Sequence, residues 1–195
     1  MPHKRSSFIR KLQNILNKGI YKRQFYKQTR GVAATEFAMI VPVLVMLYMG
    51  SVEMGQALSV DRKVTSVASS AADLVSQSSE VSQNDIDDIF NIAQAIMEPY
   101  DNTSTIITIS SVVSDQNNNQ SVDWSVSNTA GNAHAQGATI PGMPATITEE
   151  NSSVIVAEVQ YTYSSPVSYY VTGPMVLSDT FYARPRQSVS VNFTN

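Results

Sequence analysis

No cysteine occurs among the 195 residues of the chain. That excludes a disulfide framework, thiol chemistry and cysteine metal ligation, so any folded region must be held by packing alone. Histidine is nearly absent as well: His3 and His134 are the two, and neither stands in a Ser-His-Asp pattern. There is no glycine-rich phosphate loop and no paired metal-ligand motif. The chain therefore reads as a non-enzyme, with no cofactor, no metal and no small-molecule substrate.

Acidic residues are missing from the first 35 positions, and basic residues are scarce after them. Residues 1–31 hold nine of the thirteen Lys and Arg, whereas all sixteen Asp and Glu lie at Glu36 or later. Beyond residue 31 only Arg62, Lys63, Arg184 and Arg186 are basic, a balance of −12 that the formal net charge of −3 conceals. Cations directly ahead of an apolar run, here Lys22, Arg23, Lys27 and Arg30, hold that end in the cytoplasm by the positive-inside rule. The acidic remainder then belongs on the far side. Phe8, Leu12, Ile15, Leu16 and Ile20 recur among the leader's cations at helical spacing, which suits a short basic amphipathic helix on an anionic membrane face. Nothing in the leader beyond its charge suits nucleic acid, and no nucleic-acid partner is expected.

What is present is one long apolar run. From Phe37 to Val52 no charge interrupts the sequence, and Glu36 stands at its mouth. Val32 to Val52 is 21 residues, or about 31 Å as a helix, close to the hydrocarbon thickness of a bilayer. The run is longer than the apolar part of a secretory signal. The small-residue stretch Val67-Ala68-Ser69-Ser70-Ala71 lies too far beyond it to be a cleavage site. A single spanning helix is predicted, kinked at Pro42. Val60, Val64, Val67, Ala71 and Leu74 continue at steps of four and three, a narrow apolar seam that extends the helix to about Ser76. Glu53, near the outer interface, reads as a carboxylate reaching into headgroups or periplasm, with an inter-subunit contact to Arg62 or Lys63 as the alternative.

Ser76 to Gln83 reads as a polar linker. Ser82 and Asp85 resemble a capping box, and Asp85, Asp87 and Asp88 suit the positive end of a helix better than a cation site. Ile86, Ile89, Phe90, Ala93, Ile96 and Met97 follow at helical spacing, ending near Glu98 because Pro99 disfavours helix before it. Four strands are then expected: 106–113, the alternation Val122, Trp124, Val126, the alternation 155–163, and Val189, Val191, Phe193. Residues 128–152 form a long loop in which His134 is merely solvated. One apolar face per strand implies an antiparallel sheet with one face covered by helix. Trp124 reads as core. Arg184 and Arg186 flank Pro185 and are exposed arginines able to meet an acidic partner.

Arg30-Gly31 five residues ahead of Glu36 resembles the cleavage site of type IV prepilins. RGVAATEF (30–37), the apolar run with Pro42, Val52-Glu53-Met54-Gly55 and the seam after Arg62 together resemble the TadE-like family, pseudopilins of the tight-adherence (Tad, Flp-type) pilus assembly system. A weaker likeness lies in AEVQYTYSSPV (157–167) and FYARPR (181–186). The resemblance implies a minor pilin-like subunit cut by a prepilin peptidase between Gly31 and Val32. Gly31 would let backbone approach the enzyme closely. Glu36, with Phe37 packed beside it, would meet the new ammonium of a neighbouring subunit. A Glu36 that only reaches back to the inner interface is the alternative.

The expected fold class is α+β and pilin-like: a long N-terminal transmembrane helix continues into a small periplasmic domain with a second helix and a mostly antiparallel four-stranded sheet. The divisions are a leader at 1–31, a span at 32–52, a helix extension and linker at 53–83 and an α+β domain at 84–195. The implied location is the bacterial inner membrane, N-terminus cytoplasmic and C-terminal domain periplasmic, in or at the base of a surface pilus. The implied partners are the membrane, a prepilin peptidase, other pilin or pseudopilin subunits and the Tad secretion machinery. An uncleaved membrane-anchored periplasmic adaptor is the other reading.

Overall fold

The computed structural model describes residues 29–166, 168 and 173–194. The chain divides into two units, Met1–Gly50 and Ser51–Asn195. The first consists, where described, of helix. Helix α1 runs from Thr29 to Ser76 and passes through Pro42. Pro42 has no N–H, so the Ala38 carbonyl one turn earlier loses its intrahelical partner. Lipid and neighbouring helices tolerate such a site.

In the second unit α1 becomes one-sided. Val60, Val64, Val67, Ala71 and Val75 are fully buried, and Ala57, Ala68 and Ala72 widen the stripe. Leu74 is half-buried against the same core. Helix α2, Gln83–Ile96, opens on the expected capping box, in which the Ser82 side chain and the Asp85 carboxylate satisfy each other's backbone N–H groups. The Ser82 hydroxyl and the Ser82 backbone N–H both donate to the exposed Asp85 carboxylate and hold its carboxyl below the ordinary 3.8. Ile86, Ile89, Phe90, Ala93 and Met97 are buried, as their spacing predicts.

The sheet is antiparallel throughout, with strands β2 (Thr105–Ser114), β3 (Gln120–Ser127), β4 (Ser153–Tyr163) and β5 (Met175–Ala183) in the order β3-β2-β4-β5. Cross-strand neighbours Ile107–Val159, Ile109–Ala157 and Ser111–Ile155 share one face. That face joins the core with α1 and α2. The α+β class with a second helix and a four-stranded antiparallel sheet stands as expected.

Three expectations are corrected. The fourth strand is β5, not Val189–Phe193. The sequence hides β5 because Ser178, Asp179 and Thr180 interrupt its apolar pattern; Asp179 faces inward and accepts from Thr65 Oγ1 on α1 at 2.5 Å. Second, Ser76–Gln83 is not only a linker. Glu80–Ser82 forms a short strand β1 that pairs in parallel with β6, Asn192–Thr194. Val189 and Val191 keep the right period but lie outside this pair, and Val189 is exposed. Third, both faces of the sheet carry cover. Loop 128–152 folds back so that Val122 N–H donates to the Ala138 carbonyl at 2.8 Å and Gly137 N–H to the Val122 carbonyl at 2.7 Å. Gly137 takes φ +79° to make this return, a conformation that glycine adopts without a Cβ clash. Ile140 then packs on Val112, Val122, Val154 and Val156 of the second face.

Candidate processing and assembly site

Gly31, Val32, Glu36 and Phe37 sit within two turns of α1, near its N-terminal end. Gly31 has nothing within 4 Å of where a Cβ would stand, so crowding among the described residues does not require glycine here. Val32 and Phe37 are exposed, Phe37 at 66 %, and Glu36 is exposed as well. Val32 and Glu36 are four apart and share a face of the helix, about 6 Å along its axis. Thr35 Oγ1 donates to the Val32 carbonyl at 2.8 Å, removing one polar group from an otherwise apolar surface. Lys22, Arg23 and Lys27 lie outside the described residues, and of Arg30 only the helical backbone is described.

From Phe37 to Met49 the large apolar side chains are exposed all round, among them Met39, Ile40, Val43, Leu44, Met46, Leu47 and Tyr48. Gly31–Ser76 is long and apolar enough to cross a membrane, and its most apolar window buries nothing within the molecule. A helix hydrophobic on every side needs a surrounding apolar phase.

The second unit answers what the other charged residues do. Glu53 does not reach outward. It is 5 % exposed, and the Ser165 hydroxyl lies 2.7 Å from both of its carboxylate oxygens. The Tyr163 hydroxyl donates to Gln56 Oε1 at 3.3 Å one turn along. Burial pushes the Tyr163 phenol above its ordinary 10.0, and the nearby Glu53 carboxylate adds to that rise. Lys63 does not meet Glu53 of its own chain. Lys63 Nζ instead donates to the carbonyls of Ile96 and Glu98 at 2.8 and 2.6 Å. A cation there satisfies the acceptor-rich C-terminus of α2. Its ammonium also lies 5.9 Å from the Tyr100 ring centre.

The two late arginines are used internally. Arg184 pairs with Glu149 at 2.8 Å, and Arg186 pairs with Asp73 on α1. His134 is not a bare solvated loop residue: its Nε2 lies 2.5 Å from Glu158 Oε2, fastening loop 128–152 to β4. Trp124 is core as expected, with Nε1 donating to the Val191 carbonyl at 2.7 Å and its ring 5.5 Å from that of Phe193. Periodicity cannot reveal such pairings, since the partners lie tens of residues apart.

Residues 31–73 match the family model described as TadE-like protein. The match covers the Gly31–Glu36 segment, the apolar run and most of the seam; it does not extend to 157–167 or 181–186. No curated protein and no solved structure matches the chain. Residues 31–73 are thus similar to TadE-like proteins.

Proposed function

We propose that this protein is a minor pilin-like subunit for assembly of a Tad/Flp-type type IV pilus, processed by a prepilin peptidase after Gly31. One observation carries the reading. In a stretch that matches the TadE-like model, Glu36 is the only charge between Arg30 and Glu53, set on an exposed helical turn directly after Gly31. An isolated carboxylate at the mouth of an apolar helix is costly and marks a function. Cleavage would place an α-ammonium on Val32, and Glu36 of a neighbouring subunit would supply its counter-charge. Such a pair sets the stagger between subunits more than it adds stability. The protein does no chemistry of its own in this reading. Its exposed span passes from lipid to packing among other pilin helices, with the leader left in the cytoplasm and the second unit in the periplasm.

A second reading, the uncleaved periplasmic adaptor, draws on the helical state of the Gly31–Val32 peptide. Glycine at the bond weakens the helix by about 1 kcal/mol relative to alanine, which eases local unwinding by a peptidase.

The test is N-terminal analysis of the native chain from piliated cells, with Gly31→Ala and Glu36→Ala scored for processing and piliation. A chain beginning at Val32 is expected. Gly31→Ala should accumulate the uncut form, and Glu36→Ala should be cut yet lose pili. A native chain still carrying residues 1–31 in piliated cells leaves the adaptor standing, and normal piliation by Glu36→Ala removes its pairing role.

A further inference from the structure

The geometry points to a lipid-contacting surface at the start of the second unit: Val52, Met54 and Leu58 of α1 lie in the outer headgroup layer of the bilayer, so that this unit is seated in the membrane surface. The inference rests on the single-span reading above but on neither cleavage nor pilus assembly.

Between Glu36 and Asp61 the helix carries one charge, Glu53. That carboxylate is turned inward onto Ser165. The surface left outside in these two turns is uncharged, with Val52, Met54 and Leu58 exposed at 39, 64 and 52 % beside Ser51, Gln56 and Ser59. Neighbouring polar groups are engaged within the chain. Ser59 Oγ donates to the Gly55 carbonyl at 2.8 Å, and Gln56 Oε1 accepts from Tyr163. Outward charge returns only at Asp61 and Arg62.

Length decides where this surface lies. With Glu36 at the inner hydrocarbon boundary, a core of about 30 Å at 1.5 Å per residue ends near position 56. A tilt of roughly 20° moves that limit about one residue further. Glu53 falls short of the boundary, where an outward carboxylate would be costly. The inward turn of Glu53 therefore keeps the outer surface free of charge past Leu58, where hydrocarbon gives way to headgroups. Continuity with the span selects lipid as the occupant over a separate protein partner.

The absence of cysteine allows a direct test in the full chain reconstituted in phospholipid vesicles. Single variants Leu44→Cys, Leu58→Cys and Ser66→Cys, all at exposed positions, are labelled with an environment-sensitive fluorophore. They are then read with nitroxide lipids carrying the quencher at shallow or deep acyl positions. Leu44 reports the span, and Ser66 lies two turns beyond Leu58. The expected result is a blue shift at 44 with loss of intensity to the deep quencher. At 58 a blue shift and loss to the shallow quencher are expected, and at 66 water-like emission without quenching. Water-like, unquenched emission at 58 alongside lipid quenching at 44 overturns the inference and leaves the span intact. Shelter at 58 from both water and lipid quenchers also overturns it, because a protein surface then covers the site. Water-like emission at 44 removes the span itself and the inference with it.

Discussion

The two halves of α1 share a backbone and differ in which sides of the helix find company. Up to Gly50 the large apolar side chains are exposed on all sides. After Ser51 the apolar residues narrow to a stripe, fully buried at Val60, Val64, Val67 and Ala71, with Asp61, Arg62, Thr65 and Ser66 exposed on the other faces. A helix in lipid satisfies its backbone internally and needs apolar side chains everywhere. A helix on a sheet needs them only where it touches. The comparison explains why glutamates at the two ends of the apolar run are treated oppositely. Glu36 stays exposed, whereas Glu53 has a folded unit beside it and is drawn in.

The harshest way to break this comparison is to exchange the environments. Val64→Asp places an unpaired charge in the packed stripe and should cost on the order of 3–5 kcal/mol, enough to unfold the second unit in a thermal melt. Leu44→Ala, in the exposed half, should leave the same melt unchanged, and equal damage from both would show that the halves do not differ as described. Next in size is Glu53→Ala. It removes the charged acceptor of the Ser165 hydroxyl, and about 2 kcal/mol of the second unit's stability should go with it in urea unfolding. A midpoint equal to that of the unmutated chain would mean that the inward turn contributes nothing to the fold.

The smallest effect sharpens the contrast between a buried and an exposed carboxylate. Asp85 is held below 3.8 first by the Ser82 hydroxyl and then by the Ser82 backbone N–H. A carboxyl with a depressed folded value contributes stability above its unfolded value, and that contribution fades as pH falls through the lowered one. The cap should therefore be complete at neutral pH and weaken below roughly pH 4. Asp85→Asn should lower the melting midpoint slightly near pH 7 and flatten its dependence on acid. An unchanged acid slope would assign that dependence to other carboxylates.

What could be read in the sequence follows from the range of the interactions. The seam from Val60 to Ala71, the Ser82–Asp85 cap, the buried face of α2 and strands β2 to β4 are local patterns. Each repeats at the period of its own element and stands in the structure except at Val122, which a bulge puts on the second face, opposite Trp124 and Val126. Strand β5 escaped because its inward Asp179 is satisfied by Thr65, 114 positions away. The parallel pair β1–β6 escaped because three-residue strands carry no usable period. The cover on the sheet's second face escaped because a loop's return path follows backbone bonds, such as Gly137 to Val122, that no alternation encodes. Lys63 closing α2 and His134 fastening its loop to Glu158 are misses of the same kind. In the candidate site, the placement of Glu36 and Phe37 on the first turns of an apolar helix was legible for the opposite reason. Nothing distant touches them within the described residues.

The order of residues alone therefore settles that this chain carries a membrane-length helix with one carboxylate at its mouth and a seam beyond its far end. Lipid asks only for local properties: length, uninterrupted apolarity and self-satisfied backbone. Tertiary structure decided that Glu53 faces inward, which strand closes the sheet, and that both arginines near the C-terminus are spent inside the molecule. Those outcomes depend on groups brought together from across the sequence. The Glu53 hydrogen bond becomes favourable only once packing has removed the water that would otherwise compete for it, whereas the arginine pairs form at the exposed surface.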